Sequence, residues 1–408
     1  MIKKQLWIVL IVSLCGFQFG YNTTVISGAI LFVSKGFALT SVQESNAVSI
    51  LLIGALVGAA FAGVLANYLG RRRGMQAAAL MLMLGSLAAT LPGTFEWFLI
   101  GRVIQGLGVG CVSVMAPMYL AEVAPPDKRG AYVSTNQLFL AIGLLMAYVC
   151  NFIFAKEENW QTMVGLGFIP AAVQFVCLFF IPETQKLSTK KSGEGSSWTG
   201  LFNPLFRKVV IAGVLLTVFQ QITGINGVIY FAPIIFETVG FAGAEAAIFA
   251  SLGLGVINMI SATIALKLMD KVGRRPLLMW GTAGMVMALL LIGVALSMEN
   301  PSVKFVAIFS LMAYVACFSI SMGPIPWLVV SEIYPSQIKG QAMSLAILFN
   351  WVANYFVAFT FLDLTKWLGF SGTFFLYAAI GVIAIFFVWK KIPETKGQSL
   401  EDIEKNIA

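Results

Sequence analysis

Gly70-Arg71-Arg72-Arg73 stands between two apolar stretches, and the same punctuation returns as Gly273-Arg274-Arg275. Two other markers repeat with it. Glu122 is followed by Arg129-Gly130, as Glu332 is followed by Lys339-Gly340. Pro182-Glu183-Thr184 returns as Pro393-Glu394-Thr395. The three markers recur at a nearly constant offset of roughly 200 residues. The same charge types at the same ends of equivalent segments indicate two parallel repeats.

Around these markers the chain is apolar. Of its 408 residues 59% are hydrophobic and 11% charged, with a mean hydropathy of +0.89. Soluble domains carry about 25% charged residues. The chain is therefore an integral membrane protein, and the enzyme chemistry of a soluble core is excluded. Twelve apolar segments are expected, at roughly 6–33, 46–69, 75–94, 97–121, 132–155, 161–181, 209–236, 246–269, 277–298, 305–331, 341–362 and 370–389. The fold class is an all-α membrane protein of twelve transmembrane helices in two six-helix pseudo-repeats. The expected division is 1–182 and 207–392 for the two bundles, 183–206 for a short linker and 393–408 for a tail.

The positive charges orient the chain. Lys35, Lys156, Lys304 and Lys366 fall on one side and Arg102 lies within a span. The rest of the 26 Lys and Arg residues fall on the side of the N-terminus. Both termini are thus expected in the cytoplasm. The net charge of +8 is a topology signal, with no nucleic-acid partner implied. Lys3 and Lys4 precede an apolar run too long for a cleavable signal core. The five cysteines lie in apolar segments without metal or disulfide spacing, and there is no His. No metal and no cofactor is expected.

Gln220-Gln221-Ile222-Thr223-Gly224-Ile225-Asn226 places three amides inside one apolar segment. An amide in hydrocarbon costs free energy unless it has a partner. On a helical wheel Gln220, Thr223, Asn226 and Tyr230 share an arc of about 120°. Gly224 weakens the helix there. Two readings are open: the amides bind sugar hydroxyls, or they tie helices together.

The residues resemble a sugar porter of the major facilitator superfamily. The matching stretches include Gly20-Tyr21-Asn22, Ile26-Ser27-Gly28, Gly70-Arg71-Arg72, Gly101-Arg102, Pro117, Tyr119, Glu122, Arg129-Gly130 and Asn136-Gln137-Leu138. They continue with Gln220-Gln221, Gly224-Ile225-Asn226, Asn258, Asp270, Gly273-Arg274-Arg275, Pro324-Ile325-Pro326-Trp327, Glu332 and Pro393-Glu394-Thr395-Lys396-Gly397. The resemblance spans the whole length and implies the major facilitator fold and monosaccharide transport by alternating access. It assigns sugar contacts to Phe19, Gln137, Gln220, Gln221, Asn226, Asn258, Trp327 and Asn350. It assigns a cytoplasmic gate to Arg71, Arg72, Glu122, Arg129, Asp270, Arg274, Arg275 and Glu332. Sugar binding near 1 mM needs only about −4 kcal/mol, which several neutral amides supply.

The departures are informative. Proton-coupled members carry Asp where this chain has Asn22, and animal glucose facilitators carry Asn. Gln161 stands for the usual Arg, and Ser319 for a Glu of the animal facilitators. Thr184-Gln185-Lys186 replaces Ser-Pro-Arg, and the linker is short. None of the 18 Asp and Glu residues lies mid-span. Asn22 and Arg102 form the coupling position, and Arg102 is expected to snorkel outward or to sit beside Asn22. The reading is a facilitative hexose uniporter, with a proton–sugar symporter as the rival. The short segment after Trp389 speaks against a third reading, a sugar sensor. The expected partners are a sugar and the lipid bilayer. The expected setting is a monomer in a bacterial inner membrane.

Overall fold

The computed structural model describes residues 2–91, 93–125, 129–184, 201, 203–241, 243–298, 304–335 and 338–396. The expected linker over 183–206 lies mostly outside them, as does the tail beyond 396. Every regular element among the described residues is helical. The first repeat contains α1 (Ile2–Thr24), α2 (Ile26–Phe37), α3 (Ser41–Leu69), α4 (Arg71–Thr90), α5 (Phe95–Val123), α6 (Arg129–Ala155), α7 (Trp160–Gly165) and α8 (Phe168–Cys177). The second contains α9 (Pro204–Ile222), α10 (Ile225–Tyr230), α11 (Ala232–Val239), α12 (Ala244–Val272), α13 (Arg274–Ser297), α14 (Lys304–Ile320), α15 (Ile325–Ile333) and α16 (Lys339–Lys391).

Among the described residues, ten helices or helix pairs are long and apolar enough to cross a membrane. The longest, α16, runs 53 residues and bends at Gly369, where φ is 71° and ψ is 167°. The loop expected over 363–369 is thus reduced to a single kinked residue. The helix α4 has 20 residues but opens on three arginines, which dilute its hydropathy. With α4 included and α16 divided at Gly369, the twelve expected spans are present. Four are broken: the first at Val25, the sixth at Leu166-Gly167, the seventh at Thr223-Gly224 and again at Phe231, and the tenth over 321–324, before α15 opens on Pro324 and Pro326.

Close helix approach is written into the glycines. The α3–α5 seam sets Gly54 and Gly58 against Gly106 and Gly110. A Cβ on Gly106 would lie 2.0 Å from the Leu51 carbonyl oxygen, and one on Gly58 would lie 2.2 Å from that of Leu107. Small residues let backbones meet where lipid gives no hydrophobic drive between helices.

The chain divides into two compact units. The first comprises Met1–Ser188, Gly227–Met259 and Ala358–Leu362, and the second comprises Thr189–Asn226, Ile260–Val357 and Asp363–Ala408. Within the first, Phe231 stacks on Phe361 with centroids 4.9 Å apart, and the Tyr148 hydroxyl donates to the Ile229 carbonyl at 2.8 Å. Phe152 meets Phe249 at 5.2 Å. Segments 227–259 and 358–362 of the second repeat therefore belong physically to the first unit. The crossing falls at Asn226/Gly227, next to the break in the seventh span.

Candidate functional site

The second unit gathers the amides. The helix α9 ends at Ile222, and Gly224 takes φ of 95°, a conformation that favours glycine. A Cβ there would also meet the Tyr377 ring at 2.4 Å. The single continuous wheel expected for 220–230 is therefore cut in two. The break leaves the Thr223 carbonyl free of its helix, and the Tyr314 hydroxyl donates to it at 2.9 Å.

Gln220 is buried. Its Nε2 donates to the carbonyls of Met322 (2.7 Å) and Gly323 (2.8 Å), and its Oε1 accepts from Asn350 Nδ2 at 2.8 Å. Asn350 also donates to the Thr217 carbonyl at 2.8 Å. Gln221 Nε2 donates to Asn350 Oδ1 at 3.1 Å, and Asn226 Nδ2 donates to Gln221 Oε1 at 2.6 Å. The four amides form one chain. Gln220 spends both donors on the carbonyls left open where the tenth span breaks, so the helix-tying reading describes this residue in this state. Gln221 and Asn226 each retain a second amide proton. Asn226 is half-buried, as is Trp327, which lies in the first turn of α15 beyond the break. Phe19 on α1, Gln137 on α6 and Asn258 on α12 are half-buried in the first unit. Asn136, beside Gln137, packs its carbonyl against Gly16 of α1.

The first unit holds the coupling position. Arg102 is fully buried, so it does not snorkel: the α3, α4 and α5 helices pack too closely around it to let the side chain reach an interface. Its Nη1 donates to the Asn22 carbonyl (3.0 Å) and to Gln105 Oε1 (2.9 Å), and Gln105 Nε2 donates to Ser86 Oγ at 3.0 Å. Asn22 Nδ2 donates to the carbonyl and the Oε1 of Gln18, both at 2.9 Å. No carboxylate pairs with Arg102 among the described residues. A buried charge without a partner costs on the order of several kcal/mol. Gln18 and Gln105 were missed in the sequence. Their spacing, four before Asn22 and three after Arg102, was the available signal.

The charged ends pair inside each unit. In the first, Arg71 Nε meets Glu122 at 3.1 Å, and Arg72 lies 3.9 Å from Glu183. Glu183 Oε1 also accepts the Arg72 backbone N–H at 2.9 Å, capping α4. In the second, Arg274 meets Glu332 at 3.2 Å. Glu394 accepts the N–H groups of Arg274 (3.0 Å) and Arg275 (3.1 Å), capping α13. Arg275 further donates to the Trp389 carbonyl, and the Thr395 hydroxyl to Glu332. Gly70 and Gly273 precede these caps at φ of 88° and 105°, where any Cβ would crowd the capping carboxylate. That geometry explains the repeated Gly-Arg-Arg. Glu183 and Glu394 were missed as functional members although their motif repeats. Arg129 and Asp270 fall on α6 and α12, and their side chains lie outside the described residues. A carboxylate at a helix N-terminus satisfies open N–H groups and the helix dipole. Glu394→Ala is expected to cost about 1–2 kcal/mol, read as a lower thermal midpoint of the purified protein. An unchanged midpoint would mean that water caps α13 equally well.

Helices of membrane-spanning length, broken where neutral amides gather, define a polytopic membrane carrier. The family model described as "Sugar (and other) transporter" matches residues 8–187 and 184–407, one match per repeat. The glucose transporter GlcP of Staphylococcus epidermidis is 34% identical, covering 96% of this chain and 95% of the relative. The D-xylose-proton symporter of Escherichia coli K12 is 33% identical over 97% and 94%. The inward-open structure of the xylose transporter XylE from Escherichia coli superposes with a TM-score of 0.85 at 32% identity, covering 98% of this chain and 99% of that one. The chain belongs to the sugar porter family of the major facilitator superfamily, and it is a transporter, not an enzyme.

Proposed function

We propose that this sugar porter carries a hexose, glucose or a close relative, as a facilitative uniporter. One observation carries the reading: the buried Arg102 donates to the backbone carbonyl of Asn22, whose side chain is an amide, and no carboxylate pairs with it among the described residues. A proton-coupled cycle needs a group that gains and loses a proton, and a guanidinium does not. The described acidic side chains sit at helix ends. Glu44, Glu96 and Glu245 open helices, Glu122, Glu237 and Glu332 close them, and Asp363 precedes the kink at Gly369.

The sugar engages the spare amide capacity of Gln221 and Asn226, and Trp327 offers an apolar face to its C–H side. Gln220 and Asn350 hold that surface in shape, and the resemblance assigns further sugar contacts to Phe19, Gln137 and Asn258. The two charged ends, Arg71 and Arg72 with Glu122 and Arg274 and Arg275 with Glu332, form the cytoplasmic gate, and Arg129 and Asp270 belong to it. Neutralising Glu332 is expected to slow exchange and to raise the accessibility of engineered cysteines from the cytoplasmic side. Unaltered accessibility would leave the basic loops a topological role alone. Both termini face the cytoplasm of a bacterial cell, and the monomer, built of the 1–182 and 207–392 bundles, is the working unit.

The rival is proton symport, the activity named for the Escherichia coli relative. Labelled glucose uptake into proteoliposomes separates the two. Equilibration down the sugar gradient without response to an imposed proton gradient supports uniport. Accumulation driven by that gradient overturns it.

A further inference from the structure

The cluster around Arg102 offers more hydrogen-bond donors than the protein fills. Arg102 Nε and Nη2 are buried and have no partner among the described residues. Gln18 Nε2 is a third such donor, on a side chain whose Oε1 already accepts from Asn22 Nδ2. Gln105 and Ser86 are engaged by bonds to Arg102 and to each other, with Ser86 Oγ donating to the Leu82 carbonyl and Gln105 Nε2 keeping a second proton. Asn22 Oδ1 is an open acceptor among the described residues and points at Gly167, where a Cβ would sit 3.2 Å away. It suits a water, and an amide oxygen cannot neutralise a cation. The result is a full positive charge buried among helices, with donors that meet no acceptor among the described residues.

We propose that these donors bind one small monovalent anion, with chloride as the available species, along the free edge of Arg102 and the amide of Gln18. One guanidinium balances one negative charge, so a divalent oxyanion would leave a buried excess and is excluded. Charge-assisted bonds from guanidinium to anion are among the stronger ones available in such a site. The inference rests on the three open donors and on Asn22 being neutral. It stands whether or not sugar flux is coupled to protons.

The probe is radioactive chloride, measured by equilibrium binding to the purified protein in detergent. Thermal unfolding in chloride and in gluconate at equal ionic strength runs alongside. One saturable chloride site competed by bromide is expected. At chloride about ten times its Kd, the folded-to-unfolded ratio should rise about elevenfold, and gluconate, a bulky organic anion, should give no rise. Asn22→Asp supplies the missing negative charge internally and should remove both responses. Gln18→Ala should weaken chloride binding about tenfold. Absence of saturable binding, an equal response to gluconate, or undiminished binding in Asn22→Asp would overturn the proposal and leave the donors to water. If Asn22→Asp does not fold, undiminished binding in Gln18→Ala overturns it by itself.

Discussion

Replacing Gln220 with alanine is expected to abolish sugar uptake and to destabilise the purified protein, whereas Asn226→Ala should weaken sugar binding about tenfold and leave stability nearly unchanged. The two residues carry the same functional group and sit six positions apart, yet their surroundings differ. Gln220 gives both amide protons to the carbonyls of Met322 and Gly323 and accepts from Asn350. Those carbonyls have lost their own helix partners where the tenth span breaks. Removing the amide strands the buried Met322 carbonyl, the part-buried Gly323 carbonyl and one amide proton of Asn350 at once. At about 1–3 kcal/mol for each stranded group the loss is at least about 3 kcal/mol. The break also positions Trp327, so binding falls with stability. Asn226 makes one bond, to Gln221, and is half-buried. Its alanine variant strands little in the empty protein and loses one bond to the sugar. Equilibrium sugar binding and thermal unfolding on both variants make the comparison. A stable Gln220→Ala protein with binding reduced only tenfold would show that Gln220 serves the sugar directly and that the helix break holds without it.

Asn22→Asp is expected to turn pH-insensitive exchange into proton-driven accumulation. The new carboxyl would sit on the residue whose backbone carbonyl already accepts from a buried guanidinium, one with no carboxylate partner among the described residues. Such a group titrates where an amide cannot. The substitution costs the two bonds that Asn22 Nδ2 makes to Gln18. Rotation of the Gln18 amide recovers one of them, because Nε2 then faces the carboxylate. With one proton per sugar, each pH unit of gradient supports about a tenfold sugar accumulation, since one unit is worth 1.36 kcal/mol. The unaltered protein should accumulate none. Concentrative, uncoupler-sensitive uptake by the unaltered protein would sink the uniport reading and direct the search to another titratable group.

Much of this architecture was legible in the chain because the properties that encode it are local. A span is a run of apolar residues, orientation is a bias of charges in loops, and a repeat is the return of Gly-Arg-Arg and Pro-Glu-Thr at matching ends. Gly224 and the Pro324–Pro326 pair announced the broken helices for the same reason: backbone conformation depends on the residue that adopts it. The amide-rich stretch announced itself as a polar load in hydrocarbon. What the sequence could not decide was the partner of each polar group. Gln220 meets carbonyls about a hundred residues away, and Gln221 and Asn350 lie farther apart still. No pattern along the chain distinguishes an amide that ties a broken helix from one left with capacity to spare. Arg102 shows the same limit: its position near a span end was compatible with snorkelling, and only the packing of α3, α4 and α5 sealed it inside. Tertiary structure also moved residues 227–259 and 358–362 into the unit of the first repeat, a regrouping that no internal symmetry of the sequence encodes. Local propensity sets where helices run and break. The low dielectric between them then selects, from distant positions, the few arrangements in which buried polar groups find one another.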